Sequence, residues 1–173
     1  MTRVSRIGVI SDTHGLLHPA VPQVFANVDA IVHAGDIGAA HILEALRALA
    51  PLTFVEGNND DATGEEIVRA KLGTLRVLVT HILPRARKPA ARVIASLREE
   101  AADVVIFGHS HLPHNEVLDG VRFFNPASAG PRRFDYPVSV GLLEKQNGAW
   151  SAKHVALDER SVGALQKRMN QMG

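Results

Sequence analysis

Through roughly the first 110 residues, short apolar runs of strand length alternate with stretches in which apolar positions recur every three or four residues. Val21, Val24, Phe25 and Val28 make one such stripe, and Ile42, Leu43, Leu46, Leu49 and Ala50 a second. Ala90, Val93, Ile94, Leu97 and Ala101 make the clearest one, with Pro89 placed as a first-turn proline. Alternation of this kind predicts βαβ crossovers and a largely parallel sheet. Past residue 112 the pattern changes to short strands and tight turns. Asp119-Gly120 separates HNEVL from VRFFN, and Asn147-Gly148 separates SVGLLEK from AWSAKHV. Both dipeptides predict hairpins, because type I′ turns need positive φ. A last stripe, Val162, Leu165, Met169 and Met172, predicts a C-terminal helix capped by Asp158. The reading is an α/β chain with a pair of mixed sheets and helices outside, and no linker or repeat divides residues 1–173 into separate domains.

The chemistry-bearing residues fall in a recurrent place. Each of five runs, SRIGVIS, AIVHAG, TFVEG, RVLVT and DVVIFG, is followed by a potential metal ligand: Asp12-x-His14, Asp36, Asn58, His81 and His109-x-His111. Residues just past the carboxyl ends of parallel strands become neighbours in space however far apart they are in sequence. Two Asp, four His and one Asn are too many donors for one ion and about right for two. Gly35, Gly57 and Gly108 stand just before ligands and suit tight turns and close backbone approach. His109 and His111 are two apart, so on an extended segment they face the same side.

Composition narrows the alternatives. A net charge of +1 supplies no polyelectrolyte attraction, so nucleic-acid binding is not indicated. No run of about 18 apolar residues is present to span a membrane. The N-terminal MTRVSRIGVIS lacks a signal-peptide h-region, which places the expectation in the cytoplasm. With no cysteine, the metal ligands are oxygen and nitrogen. Such a set suits Mn²⁺ first, with Fe, Ni, Zn or Co as alternatives. Two ions about 3.5–4 Å apart hold a bridging water, lower its pKa and clamp an in-line displacement at phosphorus.

IGVISDTHG, HAGD, EGNND, VTH and FGHSH together resemble the five signature blocks of the calcineurin-like metallophosphoesterases, and are most similar to the small YfcE-type phosphodiesterases. The resemblance extends to FNPASAGPRR, similar to the family's NPGS-type segment. It implies a four-layer αββα sandwich with a dinuclear site. Asp12, His14 and His111 would hold one ion and Asn58, His81 and His109 the other, with Asp36 bridging both. It implies a phosphodiesterase in which a metal-bridging hydroxide attacks a small phosphodiester. A phosphomonoesterase is the rival within the class. A non-catalytic scaffold, as in the retromer subunit that resembles the family but has lost key ligands, is the rival outside it.

One position departs from the family's pattern. Many relatives read GNH[DE], with a His that protonates the leaving group or binds phosphate; Asn59 stands there in this chain. An amide is no general acid near neutral pH, so Asn59 enters as a phosphate-facing residue without a proton to give. Arg132 and Arg133 are candidates to bind a substrate phosphate, a plain solvated pair being the alternative. His33 is expected to support the site from the core; His18, His41 and His154 are expected at the surface or in packing. His114 is expected at the surface, with contact to substrate as the other reading, and Ser128 has no adjacent base to make it a nucleophile. Loops around 15–18, 59–66, 82–88 and 129–136 would set substrate choice, and homo-oligomerisation is left open.

Overall fold

The computed structural model describes residues 3–61, 64–83 and 91–171, and its architecture follows from where each strand can bury its two faces. One sheet contains β1 (Arg6–Ile10), β2 (Ala30–His33), β3 (Leu52–Phe54), β9 (Ser139–Gln146) and β10 (Ala149–Ala156), ordered β10-β9-β1-β2-β3. The second contains β4 (Ile67–Leu72), β5 (Leu75–Thr80), β6 (Val104–Ile106), β7 (Pro113–Leu118) and β8 (Val121–Pro126), ordered β4-β5-β6-β8-β7. Both are mixed. β1, β2 and β3 run parallel, with β9 and β10 antiparallel at one edge. β5, β6 and β8 run parallel, flanked by antiparallel β4 and β7.

Alternation of side chains sorts the core into three apolar layers. Ile7, Val9, Val32, Val77, Val79, Val104, Ile106, Phe124 and Leu143 meet between the sheets. Ile10 and Ile31, pointing the other way, pack beneath α1 (Val21–Val24) and α2 (Ala40–Arg47) through Val21, Ile42 and Leu46. Leu78, Val105 and Phe123 pack beneath α3 (Ala91–Glu99) through Val93 and Leu97. The result is the αββα sandwich. α4 (Glu159–Asn170) lies against β10 and β7, where the edges of the two sheets approach. No helix of the described residues is long and apolar enough to cross a membrane.

Most of the periodicity reading holds, with four corrections. The regular alternation breaks after β3, because EEIVRAKL supplies β4, an antiparallel partner of β5 across a turn with Gly73 at φ +63°. The first stripe packs as expected, but its regular helix is four residues long; Phe25 and Val28 reach the core from the turn that follows. Helix α3 stops at Glu99, so Ala102 enters the core and Ala101 is exposed. On α4, Val162 is 57% exposed while Ser161 is buried, because Ser161 bonds the backbone of Val138. Pro89, Ala90 and Met172 lie outside the described residues. Both hairpins have the expected backbone: Asp119 and Gly120 at φ 50° and 79°, Asn147 and Gly148 at 50° and 86°.

Asp158 caps α4 by accepting from the Ser161 N–H at 2.8 Å, and the Arg132 guanidinium holds both carboxylate oxygens at 2.9 and 2.7 Å. Asp158→Ala should therefore cost about 0.5–2 kcal/mol, the range for lost N-caps. A thermal melt should register this as a drop of roughly 2–4 °C per kcal/mol, with Asp158→Ser recovering part of it. An unchanged melting temperature in Asp158→Ala would contradict the capping role.

Candidate metal centre

Both sheets end their parallel strands at one rim, and the seven sequence-predicted donors stand there in loops that follow β1, β2, β3, β5 and β6. The backbone of these loops is unusual. Asp12, His14, Asp36, His109 and His111 have φ of 54°, 47°, 54°, 69° and 58°, five left-handed residues among the seven. Asp and His enter this region more readily than branched residues, but each still costs of order 1 kcal/mol or more. The HSH segment is thus a turn, which corrects the expectation of an extended segment. His109 and His111 consequently diverge: His111 joins Asp12 and His14, whereas His109 stands edge-on to His81 with ring centroids 5.3 Å apart.

Side-chain donors collect in two overlapping groups, Asp12–His14–His111 and Asp12–Asp36–His81. Asp12 Oδ1 lies 3.3 Å from His111 Nε2 and 4.0 Å from the Nε2 atoms of His14 and His81. Asp36 also reaches both groups, its Oδ2 3.8 Å from His14 Nε2 and its Oδ1 3.4 Å from His81 Nε2. Asn58 and His109 stay at the exposed rim, joined to each other by Asn58 Oδ1 and His109 Nδ1 at 3.0 Å.

Hydrogen bonding tests whether these atoms suit a cation. His81 Nδ1 is 2.7 Å from the Ala34 carbonyl and must donate to it, so in the neutral ring Nε2 carries the lone pair. That Nε2 is buried without a partner among the described residues, as is Asp12 Oδ1. Lone pairs of two carboxylates and a neutral imidazole therefore face one another, an arrangement relieved by a cation or by a proton on His81 Nε2. The set fits a metal. The same pull appears in the acid–base behaviour. For His81, burial favours the neutral form, but the Asp36 and Asp12 carboxylates and the Ala34 carbonyl outweigh it and raise the pKa. For Asp12 and Asp36, burial opposes ionisation, yet the facing imidazoles and further hydrogen bonds hold both below the ordinary carboxylate value. His14 is depressed by burial, in opposition to both carboxylates and with help from the charge on Arg133.

Several residues brace this centre that the sequence did not single out. Ser11 Oγ and the His109 N–H both donate to Asp12 Oδ2, at 2.6 and 3.1 Å, which leaves Oδ1 to face the imidazoles. Ser128 Oγ donates to the Asp12 carbonyl, and Asn125 Nδ2 to the Gly108 carbonyl, tying the NPAS segment to both loops. Asp60 accepts from Ile37, Gly38 and Gly57. Short polar residues beside glycine are so common in turns that nothing in the sequence distinguishes these. The glycines at two positions are required by space: a Cβ on Gly57 would overlap the Asp36 carboxylate, and one on Gly108 would overlap Ser11 Oγ and come within 2.7 Å of Asp12 Oδ2.

The remaining candidates are placed as follows. Asn59 turns inward, its N–H and Nδ2 donating to Asp36 Oδ1 and Oδ2 at 2.9 and 2.7 Å. Arg132 is engaged with Asp158, Ser161 and the Tyr136 carbonyl, away from the donor groups. Arg133 is exposed and makes no ion pair among the described residues. His154 stacks on Phe124 and donates to the Asn125 carbonyl, a packing role; His114 pairs with Glu116. Part of the 82–88 loop lies outside the described residues.

Comparison with known proteins agrees with this geometry. A family model described as the calcineurin-like phosphoesterase superfamily domain matches residues 6–148. A protein of Methanothermobacter thermautotrophicus named a probable metallophosphoesterase is 38% identical over 145 residues, 78% of this chain and 83% of its own. The probable metallophosphoesterase YsnB of Bacillus subtilis is 32% identical over 168 residues, 93% of this chain and 96% of its own. A Methanocaldococcus jannaschii protein named a phosphodiesterase is 25% identical, covering 82% of this chain and 93% of its own. A solved structure from Streptococcus pneumoniae TIGR4, described as a predicted phosphoesterase, superposes with a TM-score of 0.71 at 23% identity, covering 91% and 92% of the two chains. Vacuolar Protein Sorting 29 from Cryptosporidium parvum superposes at 0.70 with 17% identity, covering 89% and 98%. At these identities the two structures share the fold.

His33 yields a pH prediction. Its Nδ1 accepts from the Gly35 N–H at 3.1 Å, while Thr13 Oγ1 donates to the Ile37 carbonyl and so accepts from His33 Nε2 at 3.0 Å. Both ring nitrogens are committed to the neutral tautomer, and burial lowers the pKa from 6.5 to about 4. The unfolded chain takes up this proton below 6.5 and the folded one does not, so stability is lost as pH falls from 6.5 to about 4. The loss approaches about 3 kcal/mol, from roughly 2.5 pKa units at about 1.36 kcal/mol each. Urea unfolding of chelated protein should show this slope, and His33→Gln should flatten it. An equal slope in the variant would exclude His33 as its source.

Proposed function

The chain belongs to the calcineurin-like phosphoesterase superfamily, and on that premise we propose that it is a phosphodiesterase working through a dinuclear metal site. The observation that carries this reading is the buried His81 Nε2, without a hydrogen-bond partner among the described residues and set 3.4 Å from Asp36 and 4.0 Å from Asp12. Asp12, His14 and His111 would hold one ion, and Asn58, His81 and His109 the other, with Asp36 in reach of both. When bound, two divalent ions supply Lewis-acid charge at the phosphoryl oxygens and lower the pKa of water to give the nucleophile.

The chain's own residues do the rest. The Ala34 carbonyl fixes the His81 tautomer, so that Nε2 stays a ligand atom. Ser11 and the His109 N–H occupy Asp12 Oδ2 and turn Oδ1 toward the imidazoles. Arg133, whose charge is felt at His14, would draw an anionic phosphate to the rim. Arg132, also a candidate for that role, is engaged with Asp158, which favours Arg133. At position 59 no proton is available for the departing oxygen, and the Asn59 amide is engaged with Asp36. This favours diesters with good leaving groups over monoesters, whose departure asks more of a proton donor. Mn²⁺ is the preferred metal on the mixed carboxylate and imidazole set.

The deciding experiment is a screen of chelated and metal-supplemented protein against diesters, monoesters and cyclic nucleotides. Chelated protein should be inactive on bis-p-nitrophenyl phosphate and regain activity with Mn²⁺, and Mg²⁺ should serve less well. Elemental analysis should give two ions per chain; Asp36→Asn should weaken both and His14→Ala mainly one. A single ion at saturating Mn²⁺, or full activity after exhaustive chelation, would remove the proposal.

The leaving-group dependence offers a second check. General-acid catalysis contributes about 10²–10⁴-fold where present, so the rate should fall steeply as leaving-group pKa rises. Asn59→His should restore part of the rate on alkyl diesters. If the chemical step is rate-limiting, a flat dependence would reveal another proton donor, with His114 and His18 the first to replace by Ala.

A further inference from the structure

Regular pairing between β2 and β3 ends at His33 and Phe54, with one more bond from the Val55 N–H to the His33 carbonyl. Beyond it the two loops that deliver Asp36 and Asn58 must be held by other means. On its β1 side the Asp36 loop is well anchored. The carbonyls of Gly35, Asp36 and Ile37 accept from the N–H groups of Asp12, His14 and Gly15 at 3.0, 3.0 and 2.8 Å. On its β3 side the available donors are N–H groups, because Asp36 at φ +54° turns the chain over and presents them outward. A backbone ladder cannot continue there, since the facing Gly57 also offers an N–H.

Asp60 resolves the mismatch. Its carboxylate accepts from Ile37 N at 2.9 and 3.1 Å, from Gly38 N at 3.0 Å and from Gly57 N at 2.8 Å, joining the two loops through backbone N–H groups that cannot bond one another. Its neighbour Asn59 completes the clamp by donating twice to the Asp36 carboxylate. We propose that Asp60 is a positioning residue for the metal centre: it holds the left-handed Asp36 backbone in place and fixes the β2 loop against the β3 loop. The Asp60 carboxylate is committed to backbone N–H groups and acts through Asp36 and Asn58. This inference rests on the reading of those two residues as ligands.

Partners that orient ligands in this way are typically worth 10–100-fold in metal affinity. Calorimetric titration of chelated protein with Mn²⁺ should show Asp60→Asn binding 10–100-fold more weakly than wild type. Asp61→Asn is the control: it removes an equal charge from the adjacent exposed residue, which makes no hydrogen bond among the described residues, and should change affinity less than threefold. Amide hydrogen exchange of chelated protein supplies a readout independent of metal. Ile37, Gly38 and Gly57 should lose protection in Asp60→Asn, with β1 and β6 unaffected, and Asp60→Glu should restore part of both signals. Mn²⁺ affinity within threefold of wild type, equal losses in Asp60→Asn and Asp61→Asn, or intact protection of those amides would each overturn the proposal. A wild type that binds no Mn²⁺ would instead remove the dinuclear reading, and the exchange experiment would still decide whether Asp60 holds the loops.

Discussion

Beneath the strand ends, the carboxylates of Asp12 and Asp36 share one buried space with the lone pair of His81 Nε2. With His81 neutral these groups repel, and burial removes the water that would screen them; a proton on His81 Nε2 relieves the repulsion, and so does a cation. Much of the surrounding structure holds the repelling atoms still. The Ala34 carbonyl denies His81 its other tautomer, Ser11 and the His109 N–H occupy one oxygen of Asp12, and Asn59 holds both oxygens of Asp36. A cation placed among them converts the repulsion into attraction, which is why preorganisation here serves binding even though it costs folding stability.

Holding the loops requires hydrogen bonding to continue after regular strand geometry has ended. The β1 and β2 loops manage this directly, N–H to carbonyl, although Asp12, His14 and Asp36 are all left-handed. The second sheet joins through Asp12, which receives the His109 N–H on its carboxylate and the Ser128 hydroxyl on its carbonyl. Asp12 is therefore one point where the two sheets meet, the His81–Ala34 hydrogen bond being another. The close approach explains Gly108, since any Cβ there would displace Ser11 and Asp12.

How much of this the sequence disclosed depended on the range of the interaction. Five apolar runs each ending in a donor marked the strands and the rim, because burial and ligation both leave residue-type signatures. The Asp119-Gly120 and Asn147-Gly148 turns were equally legible, since positive φ restricts residue choice. β4 was not, because IVRAKL is partly exposed along an edge and lacks a clean alternation. The turn at HSH escaped because spacing alone assumes an extended chain. Arg132 showed its partner only once α4 was in place, 26 residues away at Asp158. Asp60 and Ser128 bond to backbone atoms, and backbone partners leave no trace in the sequence. The positions of the candidate donors were readable; the groups that aim them were not.

Asn59 shows how one position can trade one role for another. Its resemblance-derived place is that of a His facing the leaving group, which suggests a missing part. In the structure its amide braces Asp36 from 2.7 Å, supplementing the backbone N–H of the same residue at 2.9 Å. A neutral imidazole has one donor nitrogen and a wider ring, so it could not brace Asp36 while also presenting a proton to substrate. The chain thus has a more firmly held carboxylate and no donor at that position. Stabilisation of the departing oxygen would then fall to cations held at the site and to exposed rim groups such as Arg133. Discrimination among phosphoesters would accordingly be governed by how well an ester tolerates an unprotonated departure, more than by the fit of its remote substituents.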